Sequence, residues 1–346
     1  MPSKVLQAIL PFIFVLFLGC QSNEAFKQQN PKINGVSFVS PAVPIADSLY
    51  AMPKNKIHAN WLAFMPYAFI DDSSSEILYN QKWQWWGESK EGILIMIDQA
   101  QRENYKLMLK PHLWVSHGKF TGDLDFKTDS SWRLFESSYR NYLLEYARLA
   151  EKKKLDLFCI GFCIGTELRN FIAKRPDFWM GLITEVKQIY HGKLCYAANW
   201  DNYQNVPFWK HLDFVGIDAY FPLSRSLKTN KRELQHRTDS LIKVLKSFSD
   251  SLNKPIIFTE YGFTSSPSST LKPWEHKPSS QVNIKLQKLA YQVFLSSFWN
   301  QEFIAGGFLW KWFPNHHKVG GKRHAGFSPQ NKAAEKVILK IYKKYN

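Results

Sequence analysis

From residue 33 onward, short apolar runs alternate with longer stretches in which apolar residues recur every three or four positions. Eight of the runs read as strands: 33–40, 60–69, 106–115, 156–167, 194–200, 214–221, 255–261 and 305–312. Most are continuously hydrophobic, the pattern of parallel strands covered on both faces. Between them, helical spacing predicts 88–103 with Ile93, Ile97 and Ala100 on one side, and 132–153 with Leu134, Tyr142, Tyr146 and Leu149. It also predicts 178–190, closed by His191-Gly192 as a C-cap, then 232–252, 281–299 and 332–345. The helix after the first strand is weakly marked, and the one after the fifth is short.

Eight strand–helix units of about 35 residues each fit an α/β fold of one (β/α)8 TIM barrel. The rival is a doubly wound open sheet, which rarely needs eight evenly spaced units. No GxGxxG or Walker pattern supports nucleotide binding. The expected organisation is a leader over 1–19, a tether over 20–31 and one barrel domain over 32–346, with no second domain.

The leader carries an address. Lys4 precedes an almost wholly apolar stretch from Leu6 to Leu18, too short for a comfortable membrane span, ending in Leu18-Gly19-Cys20. This resembles a bacterial lipoprotein signal, cleaved before a Cys20 that is then lipidated. The competing reading is an ordinary secretory leader with an incidental cysteine. The polar stretch after Cys20 reads as a tether, and Gln21 in place of an Asp points to the outer membrane, facing periplasm or cell surface. Of the other cysteines, Cys159 and Cys163 lie roughly 13 Å apart along one strand face, too far to bridge. Cys195 on the next strand can approach either, and buried free thiols are expected. No CxxC pair suggests a metal site.

Net charge is +16, but the basic runs are short. Lys152-Lys153-Lys154 falls at a helix end, where cations complement the dipole. Basic and aromatic residues do not interleave as in a nucleic-acid module, so no nucleic-acid partner is expected. Nothing predicts self-association, and a monomer is expected. The chain has 13 Trp. Most are assigned to the core, and a few to the flat apolar face of a sugar.

In a barrel of this kind the site lies at the C-terminal strand ends. The fourth strand ends Ile164-Gly165-Thr166-Glu167-Leu168, and the seventh Ile257-Phe258-Thr259-Glu260-Tyr261-Gly262. One carboxylate so placed can simply pair with a basic neighbour. Two, on strands facing each other across the lumen, can converge on one bond. Glycoside hydrolysis needs such a pair: an acid to protonate the leaving oxygen, and a carboxylate to attack the anomeric carbon or activate water.

Glutamates after strands four and seven mark the clan A glycoside hydrolases, and the chain resembles glycoside hydrolase family 113, which includes β-mannanases. The matching strings are Trp85-Trp86-Gly87-Glu88-Ser89, Leu109-Lys110-Pro111-His112, Gly165-Thr166-Glu167-Leu168, Thr259-Glu260-Tyr261-Gly262 and Gly326-Phe327-Ser328-Pro329-Gln330. The resemblance implies a retaining enzyme on a mannan-like β-linked polysaccharide or oligosaccharide, with Glu167 as acid/base and Glu260 as nucleophile. Glu167 then needs burial and the Glu260 charge to keep its proton, and Glu260 needs donors. Tyr220, in Asp218-Ala219-Tyr220, stands at the clan position of a tyrosine that donates to the nucleophile. Thr166 departs from the pattern, since much of the clan carries Asn there to contact the sugar 2-hydroxyl.

Lys110 and His112 end the third strand and Asn199 the fifth, and all three are candidates for bonds to sugar hydroxyls. Trp310 and Trp312 alternate with Lys311 and so point the same way, with Trp310 the candidate stacking platform. Trp83, Trp85 and Trp86 follow the second strand. Trp86 is assigned to the cleft, and at least one of the three to packing. His316, His317 and His324 suggest a metal, but their loop has no carboxylate, and Lys318, Lys322 and Arg323 repel cations. No metal or cofactor is expected. Three other functions remain open: a hydrolase of the same clan acting on another β-glycan, a glycan-binding surface lipoprotein on a TIM-barrel scaffold that has lost catalysis, and an aldolase or isomerase with Lys110 as its only Schiff-base candidate.

Overall fold

The computed structural model describes residues 31–71, 74–115, 121–161, 168–275 and 281–346. Its strands are β1 (Ile33–Phe38), β2 (Trp61–Phe64), β3 (Tyr67–Ile70), β4 (Leu78–Tyr79), β5 (Lys106–Leu109), β6 (His112–Val115), β7 (Leu157–Cys159), β8 (Lys193–Cys195), β9 (Ala198–Asn199), β10 (Val215–Asp218), β11 (Ile256–Tyr261) and β12 (Ile304–Trp312). Nine of them form one sheet in the order β8-β7-β5-β2-β1-β12-β11-β10-β9. All its pairings are parallel. The two end strands are halves of a single segment, residues 193–199. Its first half bonds to β7 and its second to β10. The sheet therefore curls back on itself, as in a (β/α)8 barrel.

Alternate side chains on each strand enter the lumen or face the helices. Trp61 and Ala63 of β2 join Met108, Cys159, Ile257 and Phe308 inside. Leu62 and Phe64 pack outward against the helical layer. Both faces are dry, which explains the continuous hydrophobic runs. Cys159 and Cys195 are register partners in the lumen and are free thiols. Cys163 lies outside the described residues, as does Cys20.

The helices are α1 (Met52–Ile57), α2 (Lys90–Arg102), α3 (Asp129–Lys152), α4 (Arg169–Lys174), α5 (Pro176–Ile189), α6 (Lys231–Leu252), α7 (Ile284–Phe298) and α8 (Ala333–Lys344). Ser89, Thr128, Asn230 and Asn283 cap α2, α3, α6 and α7 by accepting from backbone amides of the first turn. α5 ends at Tyr190 in extended backbone, so His191-Gly192 is not a helix cap. Short 3-10 turns follow the fifth strand, at Tyr203–Asn205 and Trp209–His211. No helix among the described residues is long and apolar enough to cross a membrane.

Two expected strands, 60–69 and 106–115, are each cut in two. Pro66 and Pro111 sit at the breaks, and proline has no N–H to continue a ladder. The Pro66 carbonyl instead accepts from the His112 amide at 2.8 Å and from the Tyr142 hydroxyl at 2.9 Å. Beyond the breaks β3 pairs with β6 on one side and with β4 on the other, as a separate three-stranded sheet over the barrel mouth.

The seam of the barrel is tight. Gly216 of β10 passes the kink between β8 and β9, where an added Cβ would lie 2.0 Å from the Tyr196 carbonyl oxygen. Gly216→Ala must push the closing strand aside, and the expected loss of stability is about 2–3 kcal/mol. Equilibrium denaturant unfolding measures it, and an unchanged midpoint would contradict a close-packed seam.

Candidate active site

Three strand ends meet at the mouth. β11 carries Thr259 and Glu260, β10 ends at Asp218, and β5 is followed by Lys110. The register between β10 and β11 sets Asp218 beside Glu260. The Ala219 amide donates to the Glu260 carbonyl at 2.7 Å, which fixes the turn that presents Tyr220.

Both oxygens of Glu260 are occupied. Oε1 accepts from Lys110 Nζ at 2.9 Å, and Oε2 from the Tyr220 hydroxyl at 2.7 Å. Lys110 Nζ also reaches Asp218 Oδ1 and the Thr259 carbonyl, each at 3.3 Å. Thr259 Oγ1 donates to the same Asp218 oxygen at 2.8 Å. Lys110, Asp218, Thr259 and Glu260 are all buried. A carboxylate out of water is tolerated when charge and donors replace its hydration, and these groups do so for Glu260.

Burial alone would lower the Lys110 pKa, but the charges of Asp218 and Glu260 overcome it and hold the ammonium above its ordinary value. Burial drives the Asp218 carboxyl up to about 7; Lys110 and Thr259 oppose this, while the Glu260 charge adds to it. Asp218 Oδ2 meets no partner among the described residues, which also favours the protonated form. Burial and the Glu260 charge push the Tyr220 phenol well above its ordinary value, so it stays a donor.

Lys110, a candidate for bonds to sugar hydroxyls, is placed as the buried counter-ion of Glu260 and Asp218. Held charged by its two carboxylates, this amine is a poor Schiff-base nucleophile. His112 is also fully buried, lying edge-on to Tyr67 at 4.9 Å between centroids and stacked with Trp310 at 6.4 Å. Burial and Lys110 hold its imidazole well below the ordinary value, so it is a neutral support behind the cleft wall.

The cleft has a volume of about 370 Å³, and its lining includes Tyr67, Phe69, Trp83, Trp85, Trp114 and Trp310, together with Glu88 and Lys311. Trp86, expected there, packs against the main core instead. Trp310 lines the cleft, and Trp312 is fully buried. Between them the pairing of β1 with β12 slips: Val36 faces Leu309 while Phe38 faces Trp312. That extra residue reverses the alternation. Lys311 Nζ lies 5.3 Å from the ring centroids of both Trp310 and Phe313, and burial lowers its pKa against the pull of Glu260.

Asn199 is half-buried at the mouth, paired in register with Asp218, and donates to Asp201 at 2.7 Å. Glu167 and Thr166 lie outside the described residues. His316 is bound to Glu335 of α8 at 2.6 Å, so its carboxylate partner comes from beyond the loop. Asp218, Tyr67, Glu88 and Lys311 were not singled out from the sequence. Asp218 had a signal available, since it ends the apolar run of β10 as Glu260 nearly ends that of β11.

The raised Asp218 pKa gives a pH dependence of stability. Between its ordinary 3.8 and about 7, the folded chain holds a proton that the unfolded chain has released. Its contribution to stability therefore declines as pH rises through that window. Asp218→Asn removes this term, by up to about 1.4 kcal/mol per pH unit. Denaturant unfolding at a series of pH values reads the slope, and an identical slope in the variant would rule out the raised value.

The comparisons with known proteins fit this geometry. The model of Glycoside Hydrolase Family 113 matches residues 42–332. A family 113 β-mannanase from Alicyclobacillus acidocaldarius, solved with ManMIm, is 21% identical with a TM-score of 0.79, covering 93% of this chain and 100% of that one. A β-1,4-mannanase complex of the same family gives 22% and 0.76, with 91% and 99% covered. A family 5 mannosidase from Rhizomucor miehei gives 12% and 0.61, with 92% and 94% covered. At these identities the likeness is one of fold. No match to a curated protein was found. The family model takes in most of the chain, including every strand of the barrel from β2 to β12, and the chain belongs to glycoside hydrolase family 113.

Proposed function

We propose that the chain is a retaining hydrolase of β-1,4-mannan-like polysaccharides and oligosaccharides, with Glu260 as nucleophile and Glu167 as acid/base. The observation that carries this is the buried Glu260 carboxylate, with one donor on each oxygen, at the C-terminal end of a barrel strand. The mannanases with the same fold support the choice of sugar.

In the first step a Glu260 oxygen attacks the anomeric carbon, the bond to the leaving oxygen breaks, and Glu167 gives that oxygen its proton. The product is a glycosyl ester on Glu260. In the second step Glu167 takes a proton from water, the hydroxide oxygen attacks the same carbon, and the ester bond returns its electrons to Glu260. Lys110 and Tyr220 steady the carboxylate before the first step and after the second. Trp310 offers an apolar face beneath the reacting sugar.

We also propose that Cys20 carries a lipid anchor to the outer membrane. The leader pattern supports this. So does the point of entry of the chain: Lys32 precedes β1, at the strand ends opposite the cleft, and its amide bonds to Tyr345.

A 2-deoxy-2-fluoro-mannoside with a good leaving group is expected to add one sugar mass to the peptide containing Glu260. Labelling elsewhere, or none with an active preparation, rejects Glu260 as nucleophile. Glu167→Gln is expected to slow mannan hydrolysis by about 10²–10⁴-fold, and activated aryl glycosides far less. Equal losses on both would remove Glu167 from the acid role. Cys20→Ala is expected to move the protein from the membrane to the soluble fraction, and no change in fractionation would count against the anchor.

A further inference from the structure

At the end of the barrel opposite the cleft the strands begin and the helices finish. Basic residues collect there. α1 ends with Lys54 and Lys56, α3 runs out into Lys152-Lys153-Lys154, and α8 closes with Lys343 and Lys344. Cations at helix C-termini complement the dipole, which accounts for part of this. It does not account for Lys106 and Lys193, which open β5 and β8, because strands have little net dipole to answer.

Carboxylates match some of the charge. Asp98 pairs with Lys153 at 2.6 Å, Asp213 with Lys193 at 2.8 Å and Asp250 with Lys246 at 2.6 Å. The cations left over, among them Lys56, Lys106, Lys152, Lys154, Lys343 and Lys344, outnumber the carboxylates left over, Glu103, Glu151, Asp156 and Glu302. All six of these lysines are exposed. Like charges gathered on one face repel each other and do nothing for the fold, so the surplus calls for a partner of opposite sign.

The same face holds a pocket of about 550 Å³. Lys106 and Lys193 line it, with the amides of Asn60 and Asn104 and the rings of Trp61 and Phe214. Lys106 Nζ lies 5.8 Å from the Trp61 ring centroid. Asp156, also at the pocket, is engaged by the Leu107 amide at 2.9 Å. Pro31 and Asn346, the two ends of the described chain, border it as well.

We propose that this base is a docking face for a membrane surface bearing anionic phospholipid headgroups, with the pocket between Lys106 and Lys193 taking one headgroup. Two observations favour a bilayer over another polyanion. The surplus lysines come from separate elements spread over one end of the molecule, as a broad charged surface requires, and not along one helix or groove. The chain that leads to Cys20 also enters β1 beside the pocket, so a lipid there brings this face to the bilayer and not the cleft. A phosphodiester on a glycerol stem suits the pocket, which offers ammonium groups, amides and apolar rings together. A lipid chain and a basic patch together hold a protein that either alone holds weakly. The inference goes beyond the hydrolase reading and does not depend on it.

The test uses the unlipidated chain from Gln21 to Asn346, which keeps every described residue and has neither leader nor lipid to insert. It is sedimented with phosphatidylcholine vesicles, with and without phosphatidylglycerol, at low and at high salt. Binding is expected only to the anionic vesicles, and is expected to fall away at high salt. A base variant, Lys106→Gln with Lys152→Gln, Lys154→Gln and Lys343→Gln, is expected to bind about 10²-fold more weakly. A cleft-side variant of the same net charge changes Lys228, Lys231, Lys285 and Lys288 to Gln, around the first turns of α6 and α7, and is expected to bind as wild type does. All eight lysines are exposed, so both variants are expected to keep the wild-type thermal midpoint.

Equal losses in the two variants overturn the docking face, since net charge alone would then explain the binding. A base variant that binds like wild type overturns it too, as does binding that survives high salt or no binding to anionic vesicles. Binding to duplex DNA in place of the vesicles overturns the membrane as partner. None of these outcomes depends on Cys20, whose role is read separately from fractionation of the full chain.

Discussion

The mouth of the barrel is organised around one buried ammonium. Lys110 reaches Glu260, Asp218 and the Thr259 carbonyl from the far side of the lumen, within 3.3 Å of each. Two carboxylates this close and this dry cannot both keep a full charge beside a single cation at little cost. Raising Asp218 to about 7 relieves the imbalance by favouring a proton on one of the two carboxylates. Glu260 keeps one donor on each of its oxygens. The arrangement needs three strand ends at fixed spacing, and a closed sheet supplies them. The tightness at Gly216 and the charge balance at Lys110 are thus parts of one constraint.

The sheet of β3, β4 and β6 shows how a barrel strand can be used twice. Below Pro66 and Pro111 the chain serves the lumen, and above them it serves the cleft. At the break the Pro66 carbonyl accepts from the Tyr142 hydroxyl and the His112 amide. The cleft gains a rigid wall whose side chains follow strand periodicity rather than loop geometry.

Much of this was legible in the chain. The continuous apolar runs marked the barrel strands, and Glu260 stood out because an acid interrupts such a run near its end. Tyr220 was reached only through family resemblance. The ion pairing of Lys110 was not legible because its partners lie 108 and 150 residues further on, a proximity that only closure of the barrel creates. Asp218 was passed over although it ends β10 in the same way. The prolines were visible, but that the strand fragments beyond them would pair with each other depended on the three-dimensional course of the chain. Alternation predicted Trp312 beside Trp310, and a slip in register undid it. Periodicity reports which face a residue takes only while the ladder stays regular.

The two ends of the described chain meet. The Lys32 amide donates to the Tyr345 carbonyl at 3.1 Å. Asn60 Nδ2 bridges the Lys32 carbonyl at 3.0 Å and the Asn346 side chain at 2.7 Å. All of this lies where the barrel strands begin, a full strand length from the cleft. A surface, resin or fused partner held close to Lys32 or Asn346 would therefore sit behind the molecule and leave the groove pointing outward. Such an attachment would keep the approach to the cleft clear.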